Sequence, residues 1–256
     1  MSAEMEVEVP VKRERSAPKP WQMGKVVELI DETPETRSIR ILVPQPSQYT
    51  PGQYYNVRLP IEGKPRPIQR AYSLGSSPYP DPSIIEMGIR EISDGLISPI
   101  LVRQIKVGDE IEVRGPFGSF TWTEELGGPV LLVGAGSGVV PLMAMIRYQV
   151  EKGTSHKMHL LFSSKSREFV IYREELERLE EKYEWLEVSH TFTRDSSDSA
   201  ARFHRRIDNE MLAEVSSQVN PKVAYICGPP EVVEGAEEIL LSLGLPRESV
   251  FTEKYD

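Results

Sequence analysis

From residue 21 onward the chain falls into two stretches whose hydrophobic and polar positions repeat differently. In the first, short β-branched runs at 25–30, 38–43, 54–59, 71–74, 84–89 and 110–114 are divided by Gly52, Gly63, Gly75, Gly108 and many prolines. RSIRILV and DEIEVRG alternate apolar with polar residues, the period of two that half-buried strands carry. Short strands so closely spaced predict an antiparallel barrel or sandwich. One helix is expected over 95–103, carrying Leu96, Ile97, Ile100 and Leu101.

After Glu124 the pattern changes. An apolar strand at 130–133 precedes a glycine loop and a helix over 141–151. Strands at 157–162, 187–192, 222–226 and 249–252 then alternate with helices at 173–182, 208–215 and 230–243. That alternation predicts a parallel sheet with helices on both faces. The division is expected within 123–128, giving domains over 21–124 and 125–256. Residues 1–20 mix charges with Pro10, Pro18 and Pro20 and are expected to form a flexible tail. REELERLEEK, at 173–182, reads as an exposed helix face with i,i+4 charge pairs.

Composition narrows the function classes. A length of 256 residues suits two modest domains. Thirty Lys and Arg against 39 Asp and Glu leave a net charge of −9, which argues against a nucleic-acid partner. The longest apolar run, 130–146, is interrupted by three glycines and a proline. It falls short of the roughly 20 residues of a membrane span. The N-terminal residues lack the apolar core of a secretory signal, so a cytoplasmic setting is expected. Cys227 is the single cysteine, too few for a disulfide framework or a self-contained iron–sulfur cluster. His156 and His159 find no third ligand at zinc spacing, and no metal site is expected.

Three segments carry candidate chemistry. Gly134-Ala135-Gly136-Ser137-Gly138 follows an apolar strand and opens a helix, with Pro141 in its first turn. Such a loop either cradles a phosphate on free N–H groups or is a tight structural turn. It is not the G-x-G-x-x-G fingerprint, because Val139 stands where the third glycine belongs, and the G-x-S-x-G spacing fails too. Arg70-Ala71-Tyr72-Ser73 offers a cation, an aromatic face and a hydroxyl, or is an ordinary strand with a surface arginine. Gly95-Leu96-Ile97-Ser98 opens a helix as an anion site or as a plain cap.

In order, R-x-Y-S at Arg70, G-x-x-S at Gly95, G-P-F-G-S-F at Gly115, the glycine loop and Cys227-Gly228-Pro229-Pro230 resemble the ferredoxin–NADP(+) reductase-type flavoproteins. The resemblance covers about residues 21–256, without a fused iron–sulfur domain. It implies an antiparallel FAD-binding β-barrel followed by an α/β parallel-sheet domain that binds NAD(P)H. By similarity Arg70 pairs with the FAD diphosphate, Ala71 and Tyr72 line the flavin, and Ser73 lies beside its N5. Gly95, Ile97 and Ser98 close over the diphosphate. Gly136, Ser137, Gly138 and Pro141 hold the nicotinamide nucleotide, and Cys227, Gly228 and Pro229 meet its nicotinamide.

Glu253-Lys254-Tyr255 echoes the E-x-Y ending of plant-type members, with Asp256 as one extra residue. The resemblance then gives Glu253 a proton-relay role and lays Tyr255 over the flavin; a solvated tail is the other reading. Thr193-Arg194 matches a pair that grips a 2′-phosphate, Lys165 and Arg167 follow the second strand of the later domain as assisting cations, and no acid ends that strand. NADPH is therefore expected ahead of NADH. The basic cluster Arg202, His204, Arg205 and Arg206 is a docking face or, as expected, a solvated loop. The implied activity is hydride transfer from NAD(P)H to FAD, then electron release to a separate acceptor such as a ferredoxin or oxygenase component. A non-catalytic flavin- and nucleotide-binding subunit, or a free-flavin reductase or diaphorase, are the alternatives.

Overall fold

The computed structural model describes residues 19–255. Of the expected flexible tail, residues 1–18 lie outside this range. The first sheet comprises β1 (Gln22–Thr33), β2 (Thr36–Leu42), β3 (Tyr54–Leu59), β4 (Ile68–Ser73), β5 (Ile84–Arg90) and β6 (Glu110–Phe117). Their order is β4-β3-β6-β1-β2-β5, and every neighbouring pair is antiparallel. An antiparallel bridge from Leu74 to Met87 joins the two edges. The Gly75 N–H donates to the Glu86 carbonyl at 2.8 Å beside it, which closes the sheet into a barrel.

Alternation decides what fills the barrel. Ile39 and Ile41 of β2, Tyr55 and Val57 of β3, and Ile111 and Val113 of β6 point inward, two residues apart on each strand. Helix α1 (Ser98–Arg103) adds Leu101 and Val102 to the same core. It begins three residues later than expected, because Gly95 is spent on a turn in which its N–H donates to the Ile92 carbonyl at 2.8 Å. β4 begins earlier than the expected 71, since Ile68–Arg70 pair with β3 although they show no clean alternation.

The second sheet is parallel, in the order β11-β10-β7-β8-β9. Its strands are β7 (Val130–Ala135), β8 (Met158–Ser164), β9 (Leu186–Phe192), β10 (Val223–Gly228) and β11 (Val250–Lys254). Helices α2 (Val139–Lys152) and α3 (Arg173–Lys182) cover one face over Leu132, Leu160 and Tyr225. α4 (Asn209–Val219) and α5 (Pro230–Ser242) cover the other over Leu131, Val133 and Leu161. Successive residues of one strand thus feed opposite cores, and a strand buried on both faces reads as a continuous apolar run.

Asp208 caps the start of α4 by accepting from the Met211 N–H at 2.9 Å, and the helix outruns its expected end by four residues because Val215 and Val219 continue its buried face up to Asn220, whose left-handed backbone ends it. α3 keeps its bounds but not its expected i,i+4 pairs. Among the described residues its ion pairs run outward, from Glu175 to Arg147 and from Glu177 to Arg167. Arg202, Arg205 and Arg206 each face an acid, Glu214, Asp208 and Glu231 respectively, so that cluster is a solvated, neutralised surface. No helix of the described residues is long and apolar enough to cross a membrane.

Between the sheets lies a polar seam. Arg147 of α2 donates to the Gly75 carbonyl at 2.8 Å and to Glu86 of β5 at 2.5 Å, while Glu175 takes its other nitrogens. Arg40 of β2 reaches Glu86 from the opposite side at 2.8 Å. The Arg147 guanidinium also lies 4.7 Å from the Tyr172 ring centroid. Tyr172 in turn donates its backbone N–H to Glu32 of the barrel.

Candidate functional site

Parallel sheets collect ligands at the carboxyl ends of their strands. Here the end of β7 runs into a single 3₁₀ turn, Gly136–Gly138, before α2. Gly138 is dictated by packing: a Cβ there would overlap the carbonyl carbon and oxygen of Cys227 at the end of β10. The missing side chain lets the loop lie on the neighbouring strand. Gly138→Ala should therefore cost about 1–3 kcal/mol, the usual range for overpacking, read as a lower urea midpoint. An unchanged midpoint would mean that the loop yields freely.

Tyr255 is fixed in this loop rather than loose. Its hydroxyl accepts from the Gly138 N–H at 3.2 Å and donates to the Ala135 carbonyl, and its ring packs on the core beneath α2. Burial raises the pKa of its phenol, so it remains a neutral donor. Two residues earlier Glu253 pairs in register with Cys227. The Ser73 hydroxyl, from the last residue of β4, donates to Glu253 Oε1 at 3.0 Å. This bond joins residues 180 apart and brings barrel and α/β unit into one site. Burial raises the Glu253 carboxyl above the usual range, and the Ser73 hydrogen bond only partly offsets it. Burial, and then the nearby Glu253, push the Cys227 thiol well up, so it is a neutral packing group and not a thiolate.

On the barrel side Arg70 and Ala71 are exposed and Tyr72 and Ser73 half-buried. Among the described residues the Arg70 guanidinium meets only the carbonyl of Gln69, at 2.8 Å, leaving its other donors for an anion. Tyr72 packs against the barrel core, and burial pushes its phenol up to about 12. Gly95 lies close over Ser98: a Cβ would stand 2.8 Å from Ser98 Oγ and 2.9 Å from the Ile92 carbonyl. Ser98 Oγ accepts from the Ile92 N–H at 3.0 Å, while Ile97 is buried beneath. A free guanidinium, an aromatic face and a turn that excludes any side chain on Gly95 fit FAD, which needs a diphosphate partner and a flat apolar wall.

A cleft of about 150 Å³ opens between the units, lined by Arg90, Gly136, Ser164, Lys165, Thr193 and Tyr255 among others. Pro229, which precedes α5, also lines it, and Gly228 accepts the Tyr255 N–H at 3.3 Å. Pro141 is buried in α2 and Ser137 half-buried in the loop. The expected cations are not equally placed. Arg167 is drawn to Glu177, Arg194 is exposed outside the cleft lining, and Lys165 is clamped by both oxygens of Glu35 at 2.6 and 2.7 Å. Sequence reasoning missed Glu35, Arg90 and Ser164. Glu35 and Arg90 come from the barrel and carry no local signal of belonging to a nucleotide cleft. Ser164 is buried with its hydroxyl unpartnered, and stood in the sequence as one serine among several. No group of three or more His, Cys, Asp or Glu among the described residues could hold a metal.

Comparison with known proteins agrees with this geometry. Residues 23–122 match the oxidoreductase FAD-binding domain family, and residues 132–238 match the oxidoreductase NAD-binding domain family. The ferredoxin reductase component of 3-ketosteroid-9-alpha-monooxygenase from Rhodococcus rhodochrous is 31% identical over 233 residues, 89% of this chain and 63% of that protein. The reductase component of propane 2-monooxygenase from Rhodococcus jostii is 26% identical over 240 residues, 90% of this chain and 62% of its own. The chain therefore spans somewhat less than two thirds of the length of these relatives. Among solved structures, the FAD/NAD-binding domain of nitric oxide dioxygenase from Vibrio cholerae superposes with a TM-score of 0.81 at 22% identity, covering 91% of this chain and 98% of that one. A ferredoxin NADP+ reductase from Neisseria gonorrhoeae gives 0.76 at 22%, with the same coverage. The chain therefore carries a domain of the oxidoreductase FAD-binding family followed by one of the oxidoreductase NAD-binding family, on the fold of a ferredoxin NADP+ reductase.

Proposed function

We propose that this protein is an NAD(P)H-dependent flavoprotein reductase of the cytoplasm that passes electrons to a separate protein acceptor, a ferredoxin or an oxygenase component. Its functional units are taken as 21–124 for FAD and 125–256 for the nicotinamide nucleotide. The observation that carries the reading is the Ser73–Glu253 hydrogen bond, which ties the barrel motif to the last strand of the α/β sheet beside the glycine loop. The relatives' own names support the acceptor class, since they include a ferredoxin reductase component and a propane 2-monooxygenase reductase component.

FAD, when bound, supplies the redox chemistry by taking a hydride from a reduced nicotinamide and releasing electrons onward. The chain's residues supply placement and protons. Arg70 and the Gly95–Ser98 turn hold the FAD diphosphate, and Tyr72 with Ala71 walls the ring. The Gly136–Gly138 loop, Pro229 and the Cys227–Gly228 backbone place the nucleotide. Cys227 contributes as a small neutral wall. Ser73 and Glu253 form the proton-handling pair at the junction, where burial raises the affinity of the carboxyl for a proton. Tyr255 closes the site from the loop side.

One anaerobic titration tests the whole reading. Purified FAD-loaded protein should lose its flavin absorption band on addition of NADH or NADPH. A yellow protein bleached by neither nucleotide would be a binding subunit instead.

A further inference from the structure

The end of β8 lacks an acid in the sequence, where SSKSR follows Phe162. In nucleotide-binding α/β units an acid at the end of the second strand receives the ribose 2′-hydroxyl of NADH, and a cation there accommodates the 2′-phosphate of NADPH. The fold supplies the missing acid from the other domain. Glu35 lies at the tip of the β1–β2 hairpin and holds Lys165 with both carboxylate oxygens, at 2.6 and 2.7 Å. The hairpin tip is fixed: the Glu91 N–H donates to the Glu35 carbonyl at 2.7 Å, and Thr33 Oγ1 accepts the Glu35 N–H at 3.3 Å.

We infer that Glu35, a barrel residue, is the group that selects NADH over NADPH at the nucleotide cleft. This rests on the proposed pyridine-nucleotide reading of that cleft and names its preferred substrate. Glu35, Lys165 and Thr193 line the same space as the loop residue Gly136 and the buried, unpartnered Ser164 hydroxyl. Lys165 is also 4.5 Å from the Phe169 ring centroid, so it is held on two sides. A ribose 2′-hydroxyl arriving here meets a carboxylate able to accept from it. A 2′-phosphate meets the same carboxylate as a like charge, and Lys165, the cation beside it, is already taken; Arg90, the other cation of the lining, stands at the Gly136 loop. Arg194, expected to grip that phosphate, is exposed and outside the lining of the cleft. The expectation of NADPH followed from cations counted along the chain; paired in space, they favour NADH.

The test uses the full FAD-loaded chain and isothermal titration with 5′-AMP and with 2′,5′-ADP, which differ only by the 2′-phosphate. The wild type should bind 5′-AMP at least tenfold more tightly than 2′,5′-ADP. Glu35→Gln should bring the two within about threefold, by freeing Lys165 and removing the repelling charge. Adding Lys165→Met to Glu35→Gln should weaken 2′,5′-ADP again. Lys165→Met alone should widen the wild-type ratio, which keeps a test in hand if Glu35→Gln folds poorly. A wild type that prefers 2′,5′-ADP, or a ratio that Glu35→Gln leaves unmoved, overturns the assignment of Glu35. Failure of both probes and of NAD+ to bind sinks the nucleotide reading itself, a result distinct from an unmoved ratio.

Discussion

Glu86→Gln should lower the stability of this protein by about 3 kcal/mol, near the low end of what breaking a buried ion pair costs. Glu86 is 2% exposed and receives Arg147 at 2.5 Å and Arg40 at 2.8 Å, one from each side of the seam between the sheets. Glutamine keeps the volume, so the loss is one of charge and leaves no cavity. The low end applies because Arg147 retains Glu175 and Arg40 retains Glu28. At about 2–4 °C per kcal/mol for a chain of this size, the thermal midpoint should fall by roughly 6–12 °C at neutral pH.

The effect has a pH signature. Burial opposes the charge on Glu86, but Arg147 and Arg40 outweigh it and hold the carboxyl below the ordinary range. A carboxyl depressed in the folded state stabilises fully above its unfolded pKa, about 4.3, and the gain is lost as pH falls through the folded value. The gap between wild type and Glu86→Gln should therefore narrow below about pH 4. A gap of constant size from pH 7 to pH 3, or a midpoint moved by less than 2 °C, would remove the ion pair from the account.

Glu86 also marks the limit of what could be read from the chain. It stands in IIEMGIR, where alternation suggests an outward-facing polar residue on a half-buried strand. It is outward-facing from the barrel, but another domain lies there. Local periodicity reports which face of a strand a residue takes, not what covers that face. For the same reason the strand at 54–59 and the helix at 173–182 were legible to the residue, while the Arg147, Lys165 and Glu35 contacts were not. The last two are 130 residues apart and meet only because the β1–β2 turn projects onto the end of β8. Helix ends were blurred where a cap or a turn decided them, as Asn220 and Gly95 do. The candidate site was legible chiefly as an order of motifs: each of R-x-Y-S, the glycine loop and E-x-Y is weak alone. What the fold adds is that Ser73 and Glu253, chosen from distant parts of the chain, touch.

That contact yields the second large effect. Ser73→Ala should slow reduction of bound FAD by reduced nicotinamide nucleotide at least tenfold in anaerobic stopped flow. Positioned proton-transfer groups contribute about 10²–10⁴-fold, and the serine shares that role with Glu253. Among the described residues Ser73 is the hydrogen-bond partner of the Glu253 carboxyl, and its donation is what restrains a pKa already raised by burial. Without the hydroxyl the carboxyl rises further, so the limb of the pH–rate profile that reports it should move to higher pH in Ser73→Ala. Glu253→Gln should abolish that limb. Ser73→Thr retains a hydroxyl at the same position and should recover most of the rate. Because the two groups act as one unit, Ser73→Ala with Glu253→Gln should cost little more than the worse single change. Additive losses would assign them separate tasks, and an unaltered rate in Ser73→Ala would leave the hydrogen bond as a structural tie between the domains.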